Sequence, residues 1–229
     1  MDLQALYDSM YAAAAPRIRA GDCAPDPLLH VPGDNRCGMT LLLRPSVELR
    51  DAFGRFQHEA LAVAPELYAH PASDLHVTVL AIVSCEAGFR PGEVDVAAYA
   101  HLAQQCLAGT GPIDLQFRGI TASPAALMAC GFPAGDALNA LRNRLRTAFR
   151  GSGLYQSIDR RYALATAHAT LLRFPEPPRQ PGRLMDVVER YRHADFGSMR
   201  GTELELVSND WYQRANRVQR LATFALDAG

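Results

Sequence analysis

Hydrophobic positions in this chain change period several times. Leu3 to about Arg19 has helix-forming composition, and Cys23 to Arg36, rich in proline and glycine, reads as loop. From Gly38 the pattern becomes regular. MTLLLRP is a short apolar run ending at Pro45, and Ser46 then caps a helical pattern through about Ala64. LHVTVL, residues 75–80, predicts a strand; a break at Gly88 to Gly92, a helix near Val94–Leu107 and a strand at 113–120 follow. The same order then returns: ALMACGFP ending at Pro133, a helix from about Ala137 to Phe149, and a strand in AHATLL, residues 167–172. A proline-rich break at Pro175 to Pro181, a helix near Leu184–Tyr191 and the strand ELELVS at 203–208 complete it. A turn after Trp211 leads to a last strand, LATFAL.

This register predicts an internal duplication of a strand, helix, strand, helix, strand unit of about 85 to 90 residues. The halves run from about 38 to 120 and from about 121 to 226, behind a helical extension covering 1–37, so that 38–229 forms a single bilobal domain. Two halves related by an approximate two-fold would bring the corresponding strands to either side of one cleft.

Those strands carry the candidate chemistry. Side chains in a strand alternate between faces, so His76 and Thr78 share one face, about 6.6 Å apart, while Leu75, Val77 and Val79 share the other. His168 and Thr170 repeat the device. Two imidazoles across a cleft, each beside a hydroxyl, suit phosphodiester cleavage. One neutral ring takes a proton from the nucleophile and one protonated ring gives a proton to the leaving oxygen. The threonine hydroxyls can donate to the non-bridging phosphoryl oxygens. No metal or other cofactor is needed for this.

Composition narrows the alternatives. With 229 residues, 48% of them hydrophobic, the chain can bury a sizeable core, and a net charge of −1 demands neither long nucleic acid nor an anionic membrane as partner. All 23 basic residues are arginine, which removes lysine chemistry. The five cysteines show no C-x-x-C pair and read as reduced thiols of a cytoplasmic protein, and no Cys or His cluster has zinc-ligand spacing. No stretch approaches the roughly 18 apolar residues of a membrane span. A G-x-S-x-G elbow and a G-x-x-x-x-G-K loop are both lacking.

LHVTVL and AHATLLR resemble the two H-x-T motifs of the 2H phosphoesterase superfamily, which includes 2′-5′ RNA ligase-like proteins and cyclic nucleotide phosphodiesterases. The likeness spans about Gly38 to Leu226, and Arg173 matches the longer form of the second motif. It implies a bilobal, duplicated α+β fold, with two mainly antiparallel sheets flanked by helices around a central cleft. It also implies metal-independent hydrolysis of 2′,3′-cyclic phosphates on RNA ends or nucleotides. His76 and His168 would be the catalytic pair, and Thr78 and Thr170 would hold the phosphate. A small phosphodiester, nucleotide or RNA 3′-end is the expected partner, without membrane or long duplex nucleic acid, and the chain is expected to act as a monomer. The alternatives are 2′-5′ RNA ligation, cleavage of 2′-5′ oligonucleotides, and a nucleotide- or RNA-binding module without turnover. Which histidine is base and which acid stays open. The sequence departs from the family at the extension and at Ala167, where many members carry proline.

Other residues are assigned structural roles. Tyr7 and Tyr11 are expected to pack at the surface rather than stack on a base. Arg142, Arg144, Arg146 and Arg150 read as a solvated helix face. Arg160, Arg161 and Tyr162 are placed to line the cleft mouth, and alternation turns Arg173 away from His168 and Thr170. His30, His58, His70, His101 and His193 read as structural.

Overall fold

A computed structural model describes residues 2–227; residues 1, 228 and 229, at the ends of the expected segments 1–37 and 38–229, lie outside the described residues. The elements follow in the order α1 (Leu3–Arg19), β1 (Arg36–Leu43), α2 (Val47–Val63), β2 (Tyr68–Ala69), β3 (Val77–Ala87), α3 (Val96–Leu107) and β4 (Ile113–Ser123). Then come β5 (Ala126–Pro133), α4 (Ala137–Gly151), β6 (Ala169–Arg173), α5 (Pro181–Arg190), β7 (Asp195–Gly201), β8 (Glu203–Asp210) and β9 (Gln219–Ala225).

Local chemistry sets the helix starts. The Asp2 carboxylate accepts from the amides of Gln4 and Ala5, the Ser46 hydroxyl accepts from Leu49 N–H, and the Asp95 carboxylate accepts from Ala98 N–H, each satisfying amides that a first helical turn leaves unpaired. In α2 the buried residues Leu49, Ala52, Phe53, Phe56 and Ala60 form one stripe at helical spacing, which docks on β7 and α5.

The strands form two antiparallel sheets, one ordered β3-β1-β8-β9 and the other β2-β6-β5-β4-β7. Leaving out the two-residue β2, the second order repeats the first, with β6, β5, β4 and β7 standing where β3, β1, β8 and β9 stand. The sheets do not coincide with residues 38–120 and 121–226. Strand β4 crosses to pair with β5 and β7, and β8 crosses back to pair with β1. Each sheet is thus built from both halves of the chain, and a single buried apolar cluster joins them. Strand β7, DFGSMRG, has no apolar alternation and was not expected; it is held by its ladder to β4. Helix α1 lies across β4 and α5. No helix among the described residues is long and apolar enough to cross a membrane.

Candidate active site

His76 and His168 each stand one residue ahead of a strand, His76 before β3 and His168 before β6, rather than inside it. Both rings, with Thr78 and Thr170, line one cleft of about 150 Å³ between the sheets. The four expected residues therefore come together.

Beyond the threonines, strict alternation fails in the same place twice. On β3, Leu41 opposes Leu80 and Leu42 opposes Thr78, so Val79 is left without a partner. On β6, Leu127 opposes Leu172 and Met128 opposes Thr170, so Leu171 is left over. A bulge of one residue reverses the parity of everything after it. The residues five positions after each histidine, Ala81 and Arg173, consequently return to the cleft. Arg173 does not face away as alternation predicts. It lines the cleft, its Nε donates to Nε2 of His70 at 3.3 Å, and its guanidinium lies 5.7 Å from the Tyr212 ring centre. The duplicated device is charged on one side only: arginine in the second copy, alanine in the first.

Accepting from Arg173 fixes the neutral form of His70, and burial holds its pKa well below the ordinary value, with Arg173 adding to the effect. The residue is structural as expected, but its role is to orient a cationic side chain of the cleft.

The two catalytic candidates have different supports. His76 Nδ1 is 2.8 Å from the Asp74 carbonyl oxygen. A carbonyl only accepts, so Nδ1 carries the proton and, in the neutral ring, Nε2 keeps its lone pair. His168 Nδ1 is 2.6 Å from the Thr166 hydroxyl, which can donate to a neutral ring or accept from a protonated one. Burial pushes both histidines down to about 4. For His76 the Asp74 carbonyl opposes this, while Arg44 and Arg173 reinforce it; for His168 the reinforcement comes from His76, Arg142 and Arg173. Both rings are therefore neutral at neutral pH.

Arg142 is not on a solvated face. It is 1% exposed and sits in the buried stripe of α4 with Leu138, Leu141, Leu145 and Phe149. Its Nε donates to the Val79 carbonyl at 2.9 Å, and Nη2 donates to the carbonyls of Thr78 and Thr166 at 2.8 Å each. One guanidinium thus clasps the backbone of both H-x-T segments. Among the described residues it has no carboxylate partner, and burial lowers its pKa to about 10, leaving it charged at neutral pH. Arg146 and Arg150 pair with Asp159 at 2.8 and 2.9 Å, and Arg146 also donates to the Leu164 carbonyl at 2.8 Å. They brace the loop that leads to His168 rather than forming a free basic stripe. Arg144 donates to the Cys106 carbonyl at 3.1 Å.

At the mouth, Arg161 and Tyr162 line the cleft as expected, whereas Arg160 pairs with Glu86 at 3.1 Å. The Arg161 guanidinium lies 4.3 Å from the centre of the Trp211 ring, which also lines the cleft. Trp211, Ser84 and Asn209 are lining residues that sequence reasoning missed; a lone aromatic just after β8 was the only signal. Neither tyrosine of the extension lines the cleft. Tyr7 is wholly buried, donating to Gly131 O and accepting from Ala167 N–H, both at 3.1 Å. Tyr11 donates to Glu189 and lies under Arg192. No group of three or more His, Cys, Asp or Glu side chains among the described residues could hold a metal ion.

Paired antiparallel sheets with a His and a Thr from each at one cleft define a bilobal, two-histidine α+β fold. A sequence model of the 2′-5′ RNA ligase superfamily matches residues 45–212, and the chain belongs to that superfamily, one of the 2H phosphoesterases. A search of curated protein sequences finds no match. Among solved structures the fold is similar to TT0787 of Thermus thermophilus, with a TM-score of 0.59 at 19% identity, covering 83% of this chain and 98% of that one. It is also similar to E. coli LigT complexed with 3′-AMP, with a TM-score of 0.58 at 17% identity over 83% of this chain and 98% of LigT. The conserved protein of unknown function ATU0111 from Agrobacterium tumefaciens str. C58 gives a TM-score of 0.55 at 15% identity, covering 93% of this chain and 97% of that one.

Proposed function

We propose that this chain is a metal-independent phosphodiesterase that opens 2′,3′-cyclic phosphates on RNA ends or nucleotides, with His76 as base and His168 as acid. The observation that carries the reading is that both His-Thr pairs and Arg173 line one small cleft. A carbonyl-fixed Nδ1–H leaves His76 Nε2 free to take a proton, and the turnable Thr166 hydroxyl supports His168 in either charge state.

In the step proposed, the Nε2 of His76 takes a proton from water as its oxygen attacks phosphorus. The bond to one ribose oxygen breaks on the far side, and that oxygen takes the Nε2 proton of His168. Thr78, Thr170 and Arg173 hold the non-bridging oxygens as charge redistributes. The anionic substrate favours uptake of the needed proton from solvent, since a phosphate beside His168 raises the pKa that burial and the arginines lower. LigT, a structural relative, has been crystallised with 3′-AMP, with ATP, with NADP+ and with phosphate, which supports a small nucleotide or RNA 3′-end as the ligand here. The chain is proposed to act as a monomer in the cytoplasm.

Purified protein assayed on 2′,3′-cyclic mononucleotides with and without EDTA tests this. Turnover should be insensitive to EDTA, and His76→Ala and His168→Ala should each lose ~10²-fold or more. Undiminished turnover in the double variant overturns the proposal. Cleavage or joining of 2′-5′-linked dinucleotides without cyclic-phosphate hydrolysis would replace it by the ligase-type reaction, in which an RNA hydroxyl takes the place of water. Tight nucleotide binding with no turnover of any diester would make the chain a binding module.

A further inference from the structure

The cleft that holds the His-Thr pairs is small and opens into a larger space. Its volume of about 150 Å³ lies below the roughly 300–1,000 Å³ usual for small-molecule sites, whereas a second chamber beside it has about 580 Å³. The two are continuous: His168, Thr170 and Arg173 line both, and Tyr162 and Trp211 stand at their junction. Apart from Ser123 and Thr166, the remaining walls of the second chamber are apolar, among them Leu6, Met10, Met128 and Ala165. Leu6 and Met10 belong to α1, ahead of the stretch that matches the family, so one wall is supplied by the extension.

The polar side chains of that wall are already engaged. The Thr166 hydroxyl is paired with His168, and the Ser123 hydroxyl accepts from Ala125 N–H at 3.3 Å and donates to the Ala126 carbonyl at 3.5 Å. A nucleobase seated against that wall would find few hydrogen-bond partners on it. A hydrocarbon group needs none.

Resting on the phosphodiesterase reading, we infer that this chamber is the leaving-group subsite for a second substrate class, acyclic phosphodiesters whose apolar alkyl or aryl ester lies on the His168 side of phosphorus. The occupant is a small ester group joined to the anion in the neighbouring cleft, and the extension, through Leu6 and Met10, adds this substrate class to the cyclic phosphates.

Calorimetric titration of the full chain with inorganic phosphate and with n-alkyl phosphates from methyl to hexyl tests this directly. The Kd is expected to fall about fourfold per added methylene, and Met10→Glu, which puts a carboxylate on the wall, to flatten that dependence. A Kd that does not change with chain length in the wild type, while phosphate still binds, overturns the subsite and leaves the proposed cleavage of cyclic phosphates intact. Failure of phosphate and alkyl phosphates alike to bind overturns the anion cleft and the subsite together. A flat alkyl series accompanied by weakened binding of a nucleoside monophosphate in Met10→Glu would assign the chamber to a base and overturn the inference.

Discussion

Arg142 donates to the Thr78 carbonyl at 2.8 Å, and the same nitrogen donates to the Thr166 carbonyl two residues before His168. The two H-x-T segments come from different sheets, so this side chain fixes their separation from behind. Replacing it with a methionine of similar length removes three hydrogen bonds, to the carbonyls of Thr78, Val79 and Thr166. Arg142→Met is expected to lose about 3 kcal/mol of stability, since hydrogen bonds to charged groups contribute ~1.5–3 kcal/mol each and removal of the buried charge offsets part of the loss. Urea unfolding measures the loss, and turnover should fall more than tenfold because the histidines are no longer held in register. Arg142→Lys, with a charge but no planar fork, should fall between the two. A methionine variant as stable and active as the parent would show that the clasp does not position the site.

The depressed histidines predict where activity lies on the pH scale. The productive free enzyme has one ring neutral and one protonated, and burial holds both pKa values near 4. The kcat/KM on a cyclic nucleotide should therefore peak near pH 4 and fall as pH rises, while kcat persists to higher pH because the bound anion raises the pKa of the acid. Stability follows the same linkage with its own sign. Between about pH 6.5 and 4 the unfolded chain binds protons that the folded chain refuses, so stability should drop as pH falls through that window. A kcat/KM maximum at about pH 6.5 or above would mean that the rings are not desolvated in the free enzyme.

Arg173 is the one charged difference between the duplicated devices, with Ala81 at the corresponding place. If it holds a phosphoryl oxygen, Arg173→Ala should weaken binding of inorganic phosphate ~10- to 100-fold, the range for loss of a charge-assisted hydrogen bond. Titration calorimetry reads this without turnover. An unaltered Kd would confine Arg173 to its contacts with His70 and Tyr212.

The site was legible in the sequence where the signal was local, and it was lost where one strand depended on another. His76, Thr78, His168 and Thr170 could be found because a two-residue spacing survives in any extended segment. The position of Arg173 could not, because the bulge at Leu171 is a property of the ladder to β5 rather than of β6. The exchange of β4 and β8 between sheets escaped for the same reason: partners are chosen by distant residues, and an apolar run does not name them. Arg142 is a different case. Its place in the stripe with Leu138, Leu141, Leu145 and Phe149 could be read from spacing alone, and reading four arginines as one charged face concealed it.

Gly131 shows how closely the segment before His168 is packed. A Cβ built there would stand 2.0 Å from the Ala167 carbonyl oxygen and 3.0 Å from the Phe117 ring, so the backbone on one side must shift. Gly131→Ala must push the backbone of Ala167, and with it the His168 ring, away from β5. Displacing a catalytic group by about 1 Å can cost ~10²-fold in rate, so this variant should keep its fold and lose kcat on that scale. Tyr7 meets the same point from the other side, its hydroxyl linking Gly131 O to Ala167 N–H. Tyr7→Phe keeps the ring but leaves both backbone groups unpaired, which should cost about 1–3 kcal/mol in stability. Thermal unfolding and kcat measured on both variants separate the two effects. If Gly131→Ala turns over at the parental rate, His168 does not depend on this contact for its position, and the extension's Tyr7 supports the fold alone.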